Sequence, residues 1–411
     1  MTWEISGRRI LFVAAALPLT IDSAFSQAKM KRAVFLFLFV FLLTACSTQK
    51  SGVERTIEDG VEVILNRIEP HKERDTRSEF SLDKLFSIDT ESDDVAETGL
   101  GDIASYDVDS LGNIYILGRR TGDESIFKFD NKGKFLLSFG KKGQGPGEIQ
   151  QASFIFVDHN DDIAVTDSGN NRVSLFSKNG IMKEEKKIAS GVISACPLSN
   201  GNILVYENTV DPGSQYLINP FVLSDSKLNS IKELDSQKIR NPIKGERLKG
   251  TFHIFSWGVS TDKIFTGFQE RGYEIFVYDF DGYMVRKIKK EYRPVPLSQA
   301  HKDEFMEAFS SPFFDDIRSK IYFPASMPPF LALTADEDGW LYVLTYEEEE
   351  SSGECFFDLF DPEGVFVGRK SLNVYTDDTG FFVKIRNGRF YSLLEKGSGY
   401  KELAVFGMNW Q

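Results

Sequence analysis

Along most of the chain, short apolar stretches rich in β-branched and aromatic residues alternate with tight polar turns built from Asp, Asn and Gly. That is the pattern of half-buried strands joined by hairpins rather than of amphipathic helices. One unit is legible twice without adjustment. Asp107, Asp109, Gly112 and Asn113 lead into Ile114, Tyr115 and Ile116, and a further apolar strand at Ile126, Phe127 and Phe129 ends on Asp130 and Gly133. Val157, Asp158 and Asp162 lead in the same way into Ile163, Ala164 and Val165, followed by Val173, Leu175 and Phe176 and then by Ser177 and Gly180. Each copy reads as strand, turn, strand, loop, strand, turn, with Gly supplying the positive φ that short hairpin turns need.

Weaker copies follow. The residue just after the first turn falls at Asn113, Asp162, Asn202, Lys263, Trp340 and Arg389, so the six units are separated by 49, 40, 61, 77 and 49 residues. A four-stranded propeller blade takes about 40–50 residues, so three steps fit one blade each and two contain insertions. Such units, apolar on both faces, are stable only when stacked against one another. The expected fold is therefore all-β: a six-bladed β-propeller with four-stranded blades over residues 61–411. The last unit ends one strand short of a blade. An N-terminal strand is expected to complete it, with residues 61–65 as the candidate, because joining the termini in one blade covers edges that invite aggregation.

One stretch breaks the pattern. Residues 291–329 form a partly helical insertion, with Ser298 as N-cap and Phe305, Met306 and Phe309 at helical spacing.

The N-terminal region differs in kind. From Met30 the chain runs Lys31, Arg32 and then eleven apolar residues, 33–43, before Thr44, Ala45 and Cys46. A basic head, a short apolar run and a small residue before the cut describe a secretory signal. The run is shorter than the roughly 20 residues a membrane span needs, so removal is expected. Leu43, Thr44, Ala45 and Cys46 resemble the lipobox of bacterial lipoproteins, which implies a diacylglycerol on Cys46 after cleavage. A second apolar run, residues 10–19 behind Arg8 and Arg9, is redundant with the first. Residues 1–29 are accordingly an upstream extension, residues 30–45 the signal peptide and residues 46–60 a polar tether. The resemblance also implies a side of the membrane. Bacteroidota lipoproteins bound for the cell surface carry an acidic cluster after the Cys, and Ser47, Thr48, Gln49 and Lys50 lack one. The expected location is the outer membrane, facing the periplasm.

Charge and composition narrow the function. A net charge of -13 offers no broad positive field to a phosphate backbone, so no nucleic-acid partner is expected. Phe is abundant at 36 copies beside 14 Tyr, in keeping with strands. Cys196 and Cys355 stand alone in apolar runs and read as buried thiols. His71, His159, His253 and His301 lack the spacing of a local metal site, and residues 347–350 read as a solvated acidic loop. Residues 143–147 are no phosphate cradle, since Lys and Ser/Thr do not follow, and read as a flexible crossing between the first two blades.

Asp167, Asn171, Arg172 and Phe176, together with Phe139, Gly147 and Glu148, look like NHL-repeat propellers. Asp336, Gly339 and Trp340, after Pro328, Pro329 and Phe330, are similar to six-bladed β-propeller lipoproteins of Bacteroidota. The resemblance covers roughly residues 60–411, with the third and sixth units matching least. It implies a fold and a location and no reaction.

Candidate ligand-binding residues are those on loops between second and third strands and at inner-strand ends: Arg119, Arg120, Arg172, Glu270 and Arg271, with Trp257 nearby. Arg offers planar paired hydrogen bonds and Trp a stacking face for a sugar ring. The bland alternative is that Arg172 braces its own loop and Trp257 is core. The expected function is an envelope-anchored propeller that binds a partner protein, carbohydrate or other small ligand, with no catalytic residue and no cofactor. The rival is a propeller hydrolase or lyase with a carboxylate-held metal in the channel, where ring geometry leaves a calcium site open.

Overall fold

The turns that punctuate the sequence are held by their own aspartates. Asp109 Oδ1 accepts from the backbone N–H of Leu111 at 3.0 Å and of Asn113 at 2.8 Å. Asp158, Asp336, Asp130, Asp225, Asp279 and Asp361 make the same pair of bonds to the residues two and four positions on. Ser177 does so with its hydroxyl. A short acceptor that satisfies two turn donors explains why Asp recurs at these turns.

The structure, a computed structural model, describes residues 53–71, 78–120, 123–209, 213–251, 255–349, 354–372, 376–377, 380–381 and 383–410. Among these residues six sheets form the blades. Blade one comprises Ile103–Val108, Ile114–Arg120, Asp123–Phe129 and Phe135–Phe139, and blade two Ala152–Val157, Ile163–Asp167, Arg172–Phe176 and Met182–Lys187. Blade three comprises Val192–Pro197, Ile203–Glu207, Tyr216–Ser224 and Ser230–Arg240, and blade four Phe255–Val259, Lys263–Phe268, Glu274–Asp279 and Met284–Lys290. Blade five comprises Ala332–Ala335, Leu341–Glu348, Cys355–Phe360 and Phe366–Leu372. Blade six takes Val383–Arg386, Arg389–Glu395 and Lys401–Trp410 from the C-terminus and its fourth strand, Phe80–Asp89, from the N-terminal side. The unit Ser51–Gln411 contains every one of these strands.

Closure by an N-terminal strand holds, but the strand is not residues 61–65. Phe80–Asp89 pairs antiparallel with Lys401–Trp410 along the length of both. Val61–Asn66 instead lies parallel to Met284–Lys290 and widens blade four, and Val53–Glu58, inside the expected tether, pairs outside it. Asn66 explains the choice. Its carboxamide donates to the Gly364 carbonyl at 3.0 Å and accepts from Phe366 N at 2.8 Å, hooking this strand onto blade five.

Six clusters of buried apolar side chains each straddle two successive blades. Leu117 and Ile155 sit between blades one and two, Ala164 and Val205 between two and three, and Leu223 and Ile264 between three and four. Val277 and Leu333 join four to five, Phe357 and Phe390 five to six, and Leu393 and Ile103 six to one. No junction lacks a core, so the ring is shut.

Strands alternate in direction within each blade, so tight turns gather on one face, and second-to-third loops and blade crossovers gather on the other. The insertion lies on this loop face. Its helix, Gln299–Glu307, starts at Ser298, whose hydroxyl accepts from His301 N at 3.2 Å, and Phe305 is buried against Phe309 and Phe323.

Candidate functional site

The innermost strands of blades two, four and six are not neighbours, so their side chains can meet only on the ring's axis. Phe156 and Trp257 do so, with ring centroids 5.8 Å apart, and Lys384 Nζ stands 5.7 Å from the Phe156 centroid. Trp257 also packs on Phe221 at 5.4 Å, and Phe154 stacks beside Phe156 at 6.2 Å, one step nearer the loop face. The ammonium of Lys384 is 3.0 Å from Asp107 Oδ1. Asp107 Oδ2 accepts from Val157 N at 2.8 Å, so this carboxylate links blades six, one and two. Among the described residues, the axis thus presents an aromatic floor beside Lys384, itself ion-paired.

Burial shifts the proton affinities of two thiols and of Glu207. Burial pushes the Cys196 thiol up to about 12, with Asp107 adding to the rise and Lys384 opposing it, so it is a thiol and not a thiolate at neutral pH. Burial also raises Cys355 and Glu207. Glu207 ends the second strand of blade three on the loop face.

Among the described candidate side chains, Trp257, Arg172, Glu270 and Arg271 do not converge on one site. Trp257 is in the middle of an innermost strand and belongs to the axis. Arg172 is turned inward: its guanidinium donates to the carbonyls of Gly145 and Glu148, both at 2.8 Å, and meets Glu185 at 3.1 Å. Residues 143–147 are consequently a pinned crossing rather than a flexible one, further held by Asn170 on Gly143 O. Arg271 grips both oxygens of Asp235, at 2.6 and 2.7 Å, and stacks on Phe276 at 4.2 Å, while Glu270 meets Lys249 at 2.9 Å. Arg119 and Arg120 end the second strand of blade one, and their side chains, like Cys46 and His253, lie outside the described residues.

Glu347, expected in a solvated loop, lies in a strand and takes two hydrogen bonds from Arg369, which hold it below the usual carboxylate range. The same Arg369 donates to Asp358 at 2.6 Å, and Tyr273 and Lys290 complete a buried cluster between blades four and five. Among the described residues, no three His, Cys, Asp or Glu side chains converge as metal ligands.

Phe156, Asp107 and Lys384 are not among the candidate binding residues the sequence offers. Asp107 and Phe156 each stand two residues before a turn aspartate, a phase that superposing the repeats would expose. Lys384 stands three before Asn387 and falls out of that phase.

Residues 75–255 match the sequence profile of a family, DUF5128, described as a 6-bladed beta-propeller. No curated protein sequence matches the chain. Two solved structures from Bacteroides are similar to it. One, from Bacteroides fragilis and described as exported, is 14% identical with a TM-score of 0.51, covering 85% of this chain and 99% of that one. The other, a member of the duf4221 family from Bacteroides vulgatus, is 11% identical with a TM-score of 0.51, covering 82% and 100%. Virginiamycin B lyase from Staphylococcus aureus is 11% identical with a TM-score of 0.40, covering 79% and 99%. At such identities the likeness to Bacteroides structures is one of fold alone, and the family description agrees with the six blades seen here.

Proposed function

We propose that this protein is a lipoprotein of the Bacteroidota type, anchored through Cys46 to the outer membrane and facing the periplasm. Its propeller binds an envelope protein or a small ligand such as a carbohydrate and does no chemistry of its own. The observation that carries the reading is the contact of Phe156 with Trp257 across the axis, beside a Lys384 already paired with Asp107. A floor of aromatic faces beside an ion-paired ammonium suits stacking and recognition. The lipobox and the likeness to an exported propeller support the location. Phe154, Phe156 and Lys384 are the residues assigned to ligand contact, and the loop face is where a partner docks.

Mass spectrometry of the protein extracted from membranes tests the anchor, and metal analysis of the same sample tests the chemistry. The expected result is a chain beginning at an acylated Cys46 with no tightly held metal. Recovery of an unacylated soluble chain would overturn the anchor, and one tightly held ion per chain would overturn the non-catalytic reading.

A further inference from the structure

The insertion and the crossover between blades three and four form a single cap on the loop face. Leu248–Lys249 pairs in parallel with Ile321–Tyr322, and Lys320 Nζ donates to the Pro242 carbonyl at 2.8 Å. This cap carries the two most exposed large hydrophobic side chains among the described residues, Phe313 at 85% and Ile243 at 75%. Each sits in a short 3-10 turn, Pro312–Phe314 or Pro242–Lys244, whose N-cap side chain, Ser311 or Asn241, accepts from the N–H of that same hydrophobic residue. Both side chains are therefore held outward by ordered backbone, where burial within the fold gains nothing from them.

Two further features say what covers them. The strip bearing Ile243 contains Lys238, Arg240, Lys244, Arg247 and Lys249 against the single acid Glu246, on a chain whose net charge is -13. Arg240 is paired with Glu246 and Lys249 with Glu270, while Lys238, Lys244 and Arg247 are exposed. The root of the cap also lies beside the start of the described chain. Glu54 meets Arg67 at 3.1 Å, and Arg67 meets Glu291, where the insertion begins, at 2.6 Å. Cys46 precedes Val53 by seven residues, which span at most about 25 Å.

We propose that this cap is a membrane-contacting surface, with Phe313 and Ile243 entering the acyl region of the bilayer and Lys238, Lys244 and Arg247 facing anionic headgroups. The proposal rests on the lipoprotein reading, which places Cys46 in that same bilayer. It also narrows the partner: a ring seated this way turns its loop face toward components of its own membrane.

The test uses the Ser51–Gln411 unit, which lacks the lipid site and holds every strand. It is sedimented with vesicles of phosphatidylethanolamine and phosphatidylglycerol, and with vesicles of phosphatidylcholine alone. Binding to the anionic vesicles is expected, falling about tenfold or more in the variant I243S/F313S, with melting temperature unchanged because both side chains are exposed. Absence of binding, or equal binding by the variant, overturns the proposal, as does a photocrosslinker at position 313 that captures protein instead of lipid. Acylation of Cys46 is read separately by mass on the full chain, so an unacylated chain whose propeller unit still binds vesicles sinks the anchor and leaves the surface standing.

Discussion

Lys384 Nζ lies 3.0 Å from Asp107 Oδ1, joining the innermost strands of the last and first blades beside the aromatic floor. The carboxylate matters more than the ammonium, because Asp107 also satisfies the Val157 N–H while Lys384 keeps part of its surface in water.

Replacing Asp107 with Ala is therefore expected to cost about 2–4 kcal/mol, since it strands a cation and a buried N–H together. Replacing Lys384 with Met should cost about 1 kcal/mol or less. Urea denaturation of both variants checks the order, and equal losses would sink it.

Asp358 is fully buried, with Tyr273 donating at 2.7 Å, Arg369 at 2.6 Å and Lys290 Nζ at 3.3 Å. Asp358→Asn leaves two cations without this counter-charge and should cost about 3–5 kcal/mol. Burial already lowers the Lys290 proton affinity, opposed chiefly by Asp358. In the variant the unfolded chain holds that proton still more firmly than the folded one, so stability should rise with pH above neutral more steeply than in the wild type. Thermal melts from pH 7 upward report the slope.

Burial pushes the Asp336 carboxyl up to about 6, against the hydrogen bonds it receives from Trp340 N and the Tyr342 hydroxyl. The folded state then binds this proton more tightly than the unfolded chain. The cost of burying the carboxylate is fully present above pH 6 and is relieved as pH falls toward the ordinary aspartate range. Asp336→Asn should flatten that part of the stability profile between pH 4 and pH 7; an unchanged profile would assign the slope elsewhere.

Removal of the chain up to Asp89 strips the fourth strand from blade six and bares the edge of Lys401–Trp410. Oligomers or aggregates are expected on size exclusion. Removal only as far as Glu58 takes away the outermost strand of blade four, and a monomer is expected.

Arg172→Lys keeps the charge and loses the guanidinium, whose Nη2 donates to both Gly145 O and Glu148 O while Nη1 holds Glu185. Amide exchange across residues 143–148 should quicken, with a stability loss of about 1–3 kcal/mol. Unchanged exchange would show that Asn170 and Glu148 suffice to pin the crossing.

Much of the fold was legible in order of residues because a blade is a local object. Asp109 makes its turn bonds to Leu111 and Asn113, and Asp336 to Asp338 and Trp340, so the chemistry that marks a unit lies within five consecutive positions. Ser298 announced its helix for the same reason. The closing strand was misassigned because Phe80–Asp89 carries Asp83 and Lys84 in its exposed middle and reads as less apolar than Val61–Asn66.

What the amino-acid order determined by itself was the number of blades, the turn chemistry and the need for an N-terminal strand in the last sheet, since each depends on contacts between near neighbours or on a count of repeats. Tertiary structure alone decided which strand closes the ring, that Arg172 and Arg271 face inward onto Glu185 and Asp235, and that Phe156, Trp257 and Lys384 share an axis. Those three come from alternate blades, 101 and 127 residues apart, and only the radial packing of six sheets, driven by apolar faces that must be covered on both sides, brings them together.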